Sequence, residues 1–472
     1  MSRMPPLTLI LTLLCAAQFM LILDVAIVNV ALPSIQRELA ILPPDLQWVG
    51  TAYTVTFGGL LVLFGRAGDL LGKRRLFTAG LLVFTLASAL CGGAQAGLQL
   101  FVARGLQGVG AAAVSSAALA LLTSTFPDGA GRARAIGIFG AVASVGAIAG
   151  QLLGGVLTDL IDWRAIFLVN IPIGVAGLVL APRILAETGL AEQDGVDAAG
   201  AISLTAGLVV LIVGLTRLGS GAIDATAWVL LGAAALLLAA FGAIERRHPQ
   251  PLVDFTLFRN RGPAVGNAAM ALSAGAVTGV MFFATLYLQL VLGYSALAVA
   301  LAFAAVTLVI VLLSPRAATL AARIGARRLL LSGSALAAAG ALSLATIPVD
   351  GNYAVNVLPG MLLVGVGMAA FFAPAMLAAT SHVPAVQQGP ASGTIGTSQQ
   401  LGGAIGLAAA AAIGAAATEA SRAGADAAAV AGYRAGFLAV AGLLALAALV
   451  SAFAPGAPAP HAERRCESSP AP

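Results

Sequence analysis

The chain has 472 residues, of which 60% are hydrophobic and 9% charged, with a formal net charge of +5. A soluble domain carries about 25% charged residues, so a water-soluble globule is excluded and a polytopic membrane protein is indicated. The 24 basic residues are dispersed among short segments rather than gathered in a patch, which excludes nucleic acid as a partner. Cys15, Cys91 and Cys466 have no spacing that suggests a disulfide framework or a zinc site.

Apolar segments cut by Gly, Pro and charge clusters predict fourteen spans. They cover 7–32, 46–65, 76–95, 98–122, 134–158, 164–184, 198–216, 226–243, 263–290, 296–314, 326–347, 355–378, 396–417 and 433–453. An even number puts both termini on one side. Of the 24 Lys and Arg residues, 18 then fall in segments on the side of the termini, 5 on the other, and Arg104 within a span. Basic residues are retained on the cytoplasmic side, so both termini are expected there.

The first span holds Asp24 as its only ionisable group. A charge at bilayer depth costs several kcal/mol and is normally kept for a task; the alternative is a structural Asp satisfied by a neighbouring helix. Between spans two and three lies Gly65-x-x-x-Asp69-x-x-Gly72-Lys73-Arg74-Arg75. It reads as a tight inner loop in which Gly72 permits a sharp turn and Asp69 can accept charge-assisted hydrogen bonds. Span four carries Arg104, Gln107, Gly108, Ala111, Ala112 and Ser115 on one stripe, small and polar enough to face a cavity. At the helical rise, Arg104 lies roughly 9 Å and Asp24 roughly 12 Å below the same membrane face, so the two charges can pair. An adjacent cation favours a charged carboxylate and desolvation disfavours it. A site that alternates between those conditions can load and release a proton.

Span five has Gly146, Gly150 and Gly154 at four-residue spacing, a ridge on which a neighbouring helix can pack closely. Asp162-Trp163-Arg164 opens span six, whose apolar run is interrupted by Asn170 and Pro172. The loop before span seven is acidic, with Glu187, Glu192, Asp194 and Asp197, and Pro251 to Phe258 is expected on the inner membrane surface. A short repeat pairs Gly72-Lys-Arg-Arg-Leu76 with Gly325-Ala-Arg-Arg-Leu329. It suggests two related six-span bundles separated by an inserted pair. The boundaries are an N-terminal bundle 1–185, an insert 186–262, a C-terminal bundle 263–454 and a disordered cytoplasmic tail 455–472.

Taken together these segments resemble the major facilitator superfamily, and within it the fourteen-span drug:proton antiporter branch of the EmrB/QacA type. Asp24-Val-Ala-Ile-Val-Asn-Val-Ala-Leu-Pro33 is similar to that branch's first-helix motif, and the Gly65–Arg75 segment to the superfamily's inter-helix motif. Arg104-Gly-Leu-Gln-Gly108 is similar to the fourth-helix motif, and Trp163-Arg-Ala-Ile-Phe-Leu-Val-Asn-Ile-Pro-Ile-Gly174 to the branch's sixth-helix signature. Asp197-Ala-Ala-Gly200, Pro251 to Arg261, Tyr287 to Ser295 and Ala391-Ser-Gly393 also fit, in the same order along nearly the whole chain.

The resemblance implies an all-α membrane protein of major facilitator fold: two six-helix bundles plus two inserted central helices. It implies that Asp24 and Arg104 take part in proton coupling and that Asp69, Gly72, Arg74 and Arg75 form an inner gate. The Gly146, Gly150 and Gly154 ridge would be the antiporter-type fifth helix. The branch has Pro after the second of these glycines and this chain has Gln151. Asn29, Gln107, Gly108, Asn170, Tyr287 and Gln289 are candidates to line the cavity.

The expected function is proton-coupled export of small amphipathic or lipophilic compounds by alternating access, as multidrug or metabolite efflux. A dedicated exporter of one endogenous metabolite or natural product is the close alternative. An integral membrane enzyme is the remote one, since it would need a cluster of catalytic groups in the loops. No cofactor is expected beyond the proton-motive force. The expected partners are a small-molecule substrate, protons and the lipid bilayer, with the chain a monomer and the need for a periplasmic accessory protein left open. High Ala and Gly with a single lysine point to a GC-rich bacterium and its inner (plasma) membrane.

Overall fold

The computed structural model describes residues 7–126, 130–187, 198–219, 225–248, 259–380, 388–422 and 424–454. The tail from residue 455, the surface segment Pro251 to Phe258 and the acidic residues Glu192, Asp194 and Asp197 lie outside them. The described residues are helical with short connections. The helices are α1 (Leu7–Glu38), α2 (Trp48–Leu71), α3 (Lys73–Gly92), α4 (Gly97–Thr125), α5 (Ala130–Leu160), α6 (Ala165–Leu168), α7 (Asn170–Ile184) and α8 (Ala198–Gly219). They continue with α9 (Ala225–Glu245), α10 (Arg261–Leu286), α11 (Ala296–Ile324), α12 (Ala326–Leu344), α13 (Leu358–Thr380), α14 (Gln388–Ala420) and α15 (Ala425–Ser451). Single π-helical turns follow α10 (Tyr287–Val291) and precede α13 (Tyr353–Val357).

Each predicted span falls on helix. Among the described residues, ten segments are long and apolar enough to cross a membrane, and Val145–Leu160 and Ile202–Leu215 are shorter apolar helices. Large apolar side chains such as Leu98, Leu160, Trp228 and Leu236 stand more than half exposed, as a lipid-facing surface requires.

Two segments read as loops are helical instead. The helix of span two runs on through Asp69 to Leu71, and that of span ten runs on to Ile324. Each stops at a single residue, Gly72 (φ +95°) or Gly325 (φ +91°), after which the next helix begins at once. These φ values lie where a Cβ is strained, so glycine alone makes so short a turn. The first span also extends through Pro33 to Glu38. The sixth breaks at Val169 into α6 and α7, where Pro172 sits in the first turn of α7 and needs no N–H partner.

The helices pack in two sets. In the first, α1 lies on α5 and α7, and α4 on α2 and α3; in the second, α10 lies on α14 and α15, and α13 on α11 and α12. α8 pairs with α9 and touches α2 and α14. The three-glycine ridge faces α1: a Cβ on Gly150 would sit 2.7 Å from the Leu23 carbonyl oxygen, one on Gly154 2.8 Å from that of Ile27, and one on Gly146 3.2 Å from that of Phe19. The two sets meet where α5 crosses α11 and α2 crosses α14. At the end of the molecule that holds Trp163, Glu38 accepts hydrogen bonds from Trp163 Nε1 (2.6 Å) and from the Arg164 guanidinium, tying α1 to α6.

Candidate functional site

The close approach of α5 to α1 at Gly150 leaves the Asp24 side chain, one residue beyond Leu23, on the interior of the first helix set. Asp24 is fully buried, as are Arg104, Gln107 and Asn170. Arg104 Nη1 donates to Asp24 Oδ2 at 2.6 Å. Gln107 Nε2 and Asn170 Nδ2 both donate to Asp24 Oδ1, at 2.8 and 2.7 Å. The carboxylate therefore accepts from two residues one helical turn apart on α4 and from the first residue of α7. The break at Val169 starts α7 at Asn170 and so brings this amide to α1.

Arg104 uses more than its charge. Its Nε donates to the Val49 carbonyl in α2 at 2.9 Å, and Nη1 also reaches Gln107 Oε1 at 2.6 Å. Its guanidinium carbon lies 4.5 Å from the Tyr53 ring centroid and 5.6 Å from that of Phe167, within cation–π range. A planar fork that bonds along its edge and stacks on its face fits arginine and not lysine. On α3, Ser88 Oγ accepts from Gln107 Nε2 at 2.9 Å, and the Cys91 thiol donates to Gln107 Oε1 with 3.6 Å between sulfur and oxygen.

One carboxylate thus joins α1, α4 and α7 directly, and α2 and α3 through Arg104 and Gln107. Burying such a pair is not in itself a route to stability, because desolvation offsets most of the Coulomb attraction. What the arrangement provides is a titratable group whose charge controls contacts to several helices. Neutralising Asp24 by a proton would leave Arg104 without its anion and loosen the attraction that draws α4 to α1.

The remaining candidate residues occupy different places. Gln107 and Asn170 are buried within the charge network, and each donates to Asp24 through its side-chain amide nitrogen. Gly108 is buried where α4 crosses α2, facing the Tyr53 backbone and the Thr56 hydroxyl. Asn29 is half-buried, and its amide reaches the Val25 carbonyl of its own helix at 3.4 Å. Tyr287 is buried and donates to the Pro348 carbonyl at 2.7 Å. Gln289 spans the two helix sets, with Nε2 2.7 Å from the Val30 carbonyl.

Asp69 lies in the last turn of α2. Arg74 and Arg75, at the start of α3, pair with Glu187 just after α7, at 3.3 and 3.8 Å, and the Arg74 amide donates to Glu187 Oε1 at 3.1 Å. Among the described residues these pairs lie within the first helix set.

Sequence reasoning missed one contact between the sets. The α5 face carrying Gln151, Gly155 and Asp159 lies on α11. Thr307 Oγ1 donates to Gln151 Oε1 at 3.2 Å, a Cβ on Gly155 would sit 2.6 Å from the Leu297 Cα, and Asp159 accepts from the Ala296 and Leu297 amides at 3.2 and 2.9 Å. Asp159 places a carboxylate on the free N–H groups at the start of α11, the favourable end of that helix's dipole. The i, i+4, i+8 spacing of the three residues was the available signal. Gln151, the departure from the family proline, is part of this contact.

Comparison with known proteins gives the following. The profile described as "Major Facilitator Superfamily" matches residues 14–407. The cephamycin export protein CmcT of Amycolatopsis lactamdurans is 39% identical over 412 residues, which cover 86% of this chain and 85% of that protein. The puromycin resistance protein pur8 of Streptomyces alboniger is 39% identical over 407 residues, covering 84% and 80%. Among solved structures, a bacterial homolog of the human lysosomal transporter Spinster, in an inward-facing and unoccupied conformation, superposes with a TM-score of 0.68. It covers 94% of this chain and 96% of its own at 15% identity, a likeness of fold alone.

Proposed function

Because this chain belongs to the major facilitator superfamily, we propose that it is a proton-coupled exporter of small amphipathic or lipophilic compounds, of the fourteen-span antiporter branch. The observation that carries the coupling is the buried Asp24–Arg104 pair at 2.6 Å. It is a titratable group, held away from water and wired to several helices of one bundle. Relatives named for cephamycin export and puromycin resistance support export as the direction and drug-like natural products as the cargo class.

In this reading α1–α7 and α10–α15 are two six-span bundles that rock about a central site, 1–185 and 263–454, with α8 and α9 inserted between them. Both termini are cytoplasmic, in the inner (plasma) membrane of a bacterium. A proton reaches Asp24 from outside, releases Arg104 and permits the change of access; its departure to the cytoplasm restores the pair. One proton supplies about 2.3 kcal/mol per 100 mV of membrane potential and about 1.4 kcal/mol per pH unit. No cofactor enters. Asp69 and the Gly72 turn stand at the cytoplasmic end as the inner gate. Asp69→Asn is expected to slow turnover and shift cysteine accessibility toward the inward-open state.

The test is efflux from proteoliposomes under an imposed pH gradient, with puromycin and a β-lactam among the compounds. The expected result is uphill efflux in the wild type and none in Asp24→Asn at equal protein level. Equal efflux by the two proteins would overturn the coupling assignment. A second reading, export of one natural product only, is favoured by the relative named for cephamycin export. It predicts protection against a single compound in a growth-inhibition panel, where the multidrug reading predicts several.

A further inference from the structure

The donors around Asp24 are paired, but one acceptor is not. Asn170 is fully buried, its Nδ2 is 2.7 Å from Asp24 Oδ1, and its own Oδ1 has no hydrogen-bond partner. A buried amide oxygen without a partner is destabilising, so its retention calls for a reason. The other groups that face Asp24 are committed. Arg104, from α4, is a pure donor. Gln107 Oε1 already accepts from Arg104 and Cys91, and Ser88 Oγ on α3 accepts from Gln107 and donates to the Phe84 carbonyl. Tyr53 on α2 and Phe167 on α6 offer ring faces to Arg104. From α5, Gly150 lies against the Leu23 backbone. The titratable or charged neighbours are thus Arg104, Tyr53 and Cys91, and among these polar groups Asn170 Oδ1 is the atom both linked through its own amide to Asp24 and left without a partner.

An ionised carboxylate needs donors; a protonated one needs an acceptor for its new O–H. An asparagine amide can serve both by rotating about its terminal bond, which exchanges Nδ2 and Oδ1 at almost no steric cost. We propose that Asn170 is a positioning residue that reads the protonation state of Asp24, donating to the carboxylate through Nδ2 and, after rotation, accepting the Asp24 Oδ1–H through its Oδ1. This rests on the reading of Asp24 as the proton carrier. The step takes one proton from solvent onto Asp24 Oδ1 and breaks the Asn170 N–H···O bond. It forms an O–H···O bond and leaves Arg104 with the Val49 carbonyl and Gln107. Because Asn170 is the first residue of α7, the exchange reports the charge of α1 to the start of that helix.

The test is infrared difference spectroscopy of the full chain in proteoliposomes, recorded on acidification, with ¹³C-labelled asparagine to mark the amide carbonyl. In the wild type the expected result is a carboxylic acid C=O band together with a shift of a labelled Asn carbonyl band. Both should be lost in Asp24→Asn. In Asn170→Leu, the acid band should persist but move to higher wavenumber, as for a weaker hydrogen bond, and the Asn band change should vanish. Asn170→Ala provides the same reading should the leucine variant fail to insert. A wild-type acid band without any Asn carbonyl shift would overturn the proposal and leave Asp24 as the carrier, as would an unmoved acid band in both Asn170 variants. If the wild type and Asp24→Asn give identical spectra, the proton-carrier reading itself fails, and the role of Asn170 falls with it.

Discussion

Gly80 and Gly333 stand in different halves of the chain and do the same work. A Cβ on Gly80 would lie 2.9 Å from the Gly110 carbonyl where α3 meets α4, and one on Gly333 would lie 2.7 Å from the Gly367 carbonyl where α12 meets α13. Gly150 seats α5 on the Leu23 backbone as Gly402 seats α14 on that of Ala271. Extending this register places Leu272 opposite Asp24, Met361 opposite Arg104, Val364 opposite Gln107, and Ala341 and Leu344 opposite Ser88 and Cys91. Four of these C-terminal counterparts are buried and the fifth, Leu272, is half-buried; all are apolar. The same frame is thus built once around a charge network and once around hydrocarbon. The second version shows that a frame of this kind can be built without such charges, which supports reading those of the first as kept for a task.

The comparison can be broken most directly at its centre. Asp24→Asn should abolish gradient-driven efflux, while Leu272→Asn, the same polar group at the matching place, should leave most of it. Similar losses in both variants would show the halves to be functionally equivalent. The next largest effect concerns stability. Arg104→Ala strands a buried carboxylate and should cost about 3–5 kcal/mol, read as a lowered unfolding temperature in detergent. Asp24→Leu combined with Arg104→Met copies the C-terminal residues. Replacing a buried pair by apolar groups is often neutral, so this double variant should be more stable than Arg104→Ala and unable to export. A double variant less stable than the single one would mean that the N-terminal frame depends on its charges after all.

A smaller effect is expected where the halves touch. Asp159→Ala removes the carboxylate from the start of α11, worth about 0.5–2 kcal/mol as for a helix cap. A cysteine at Ala300 should then label several-fold faster from the Trp163 side. Unchanged labelling would assign the closure to Gly155 and Gln151 alone. The smallest effect belongs to Glu187→Gln. Its pairs with Arg74 and Arg75 are partly exposed, and such pairs contribute about 0.2–1 kcal/mol. A small change that disappears at high salt is expected, and a large salt-independent one would give this cluster a role beyond tethering α3 to the segment after α7.

Much of this was legible beforehand, for identifiable reasons. Helical rise alone placed Asp24 and Arg104 at matching depth, because both lie on long uninterrupted helices where distance along the chain is distance across the membrane. The glycine ridge was legible from its four-residue spacing. The Val49 carbonyl was not, since every residue carries one and only the crossing of α2 over α4 selects it. Asn170 and Pro172 were visible as interruptions of an apolar run, but the helix break at Val169 that aims Asn170 at Asp24 was not. Gly65 to Leu71 was read as loop because its charges and glycines mimic one; the single positive-φ residue after it, and not composition, decides where α2 ends.

Turns of one residue have a mechanical consequence. Gly72 and Gly325 leave no slack between the helices they join, so α2 cannot tilt without carrying α3, nor α11 without α12. Each pair is joined at a single residue, so a displacement of one helix end is passed directly to the start of the next. Compliance must then be sought in looser joints, such as the stretch between α1 and α2 or the π-helical turns flanking α10 and α13.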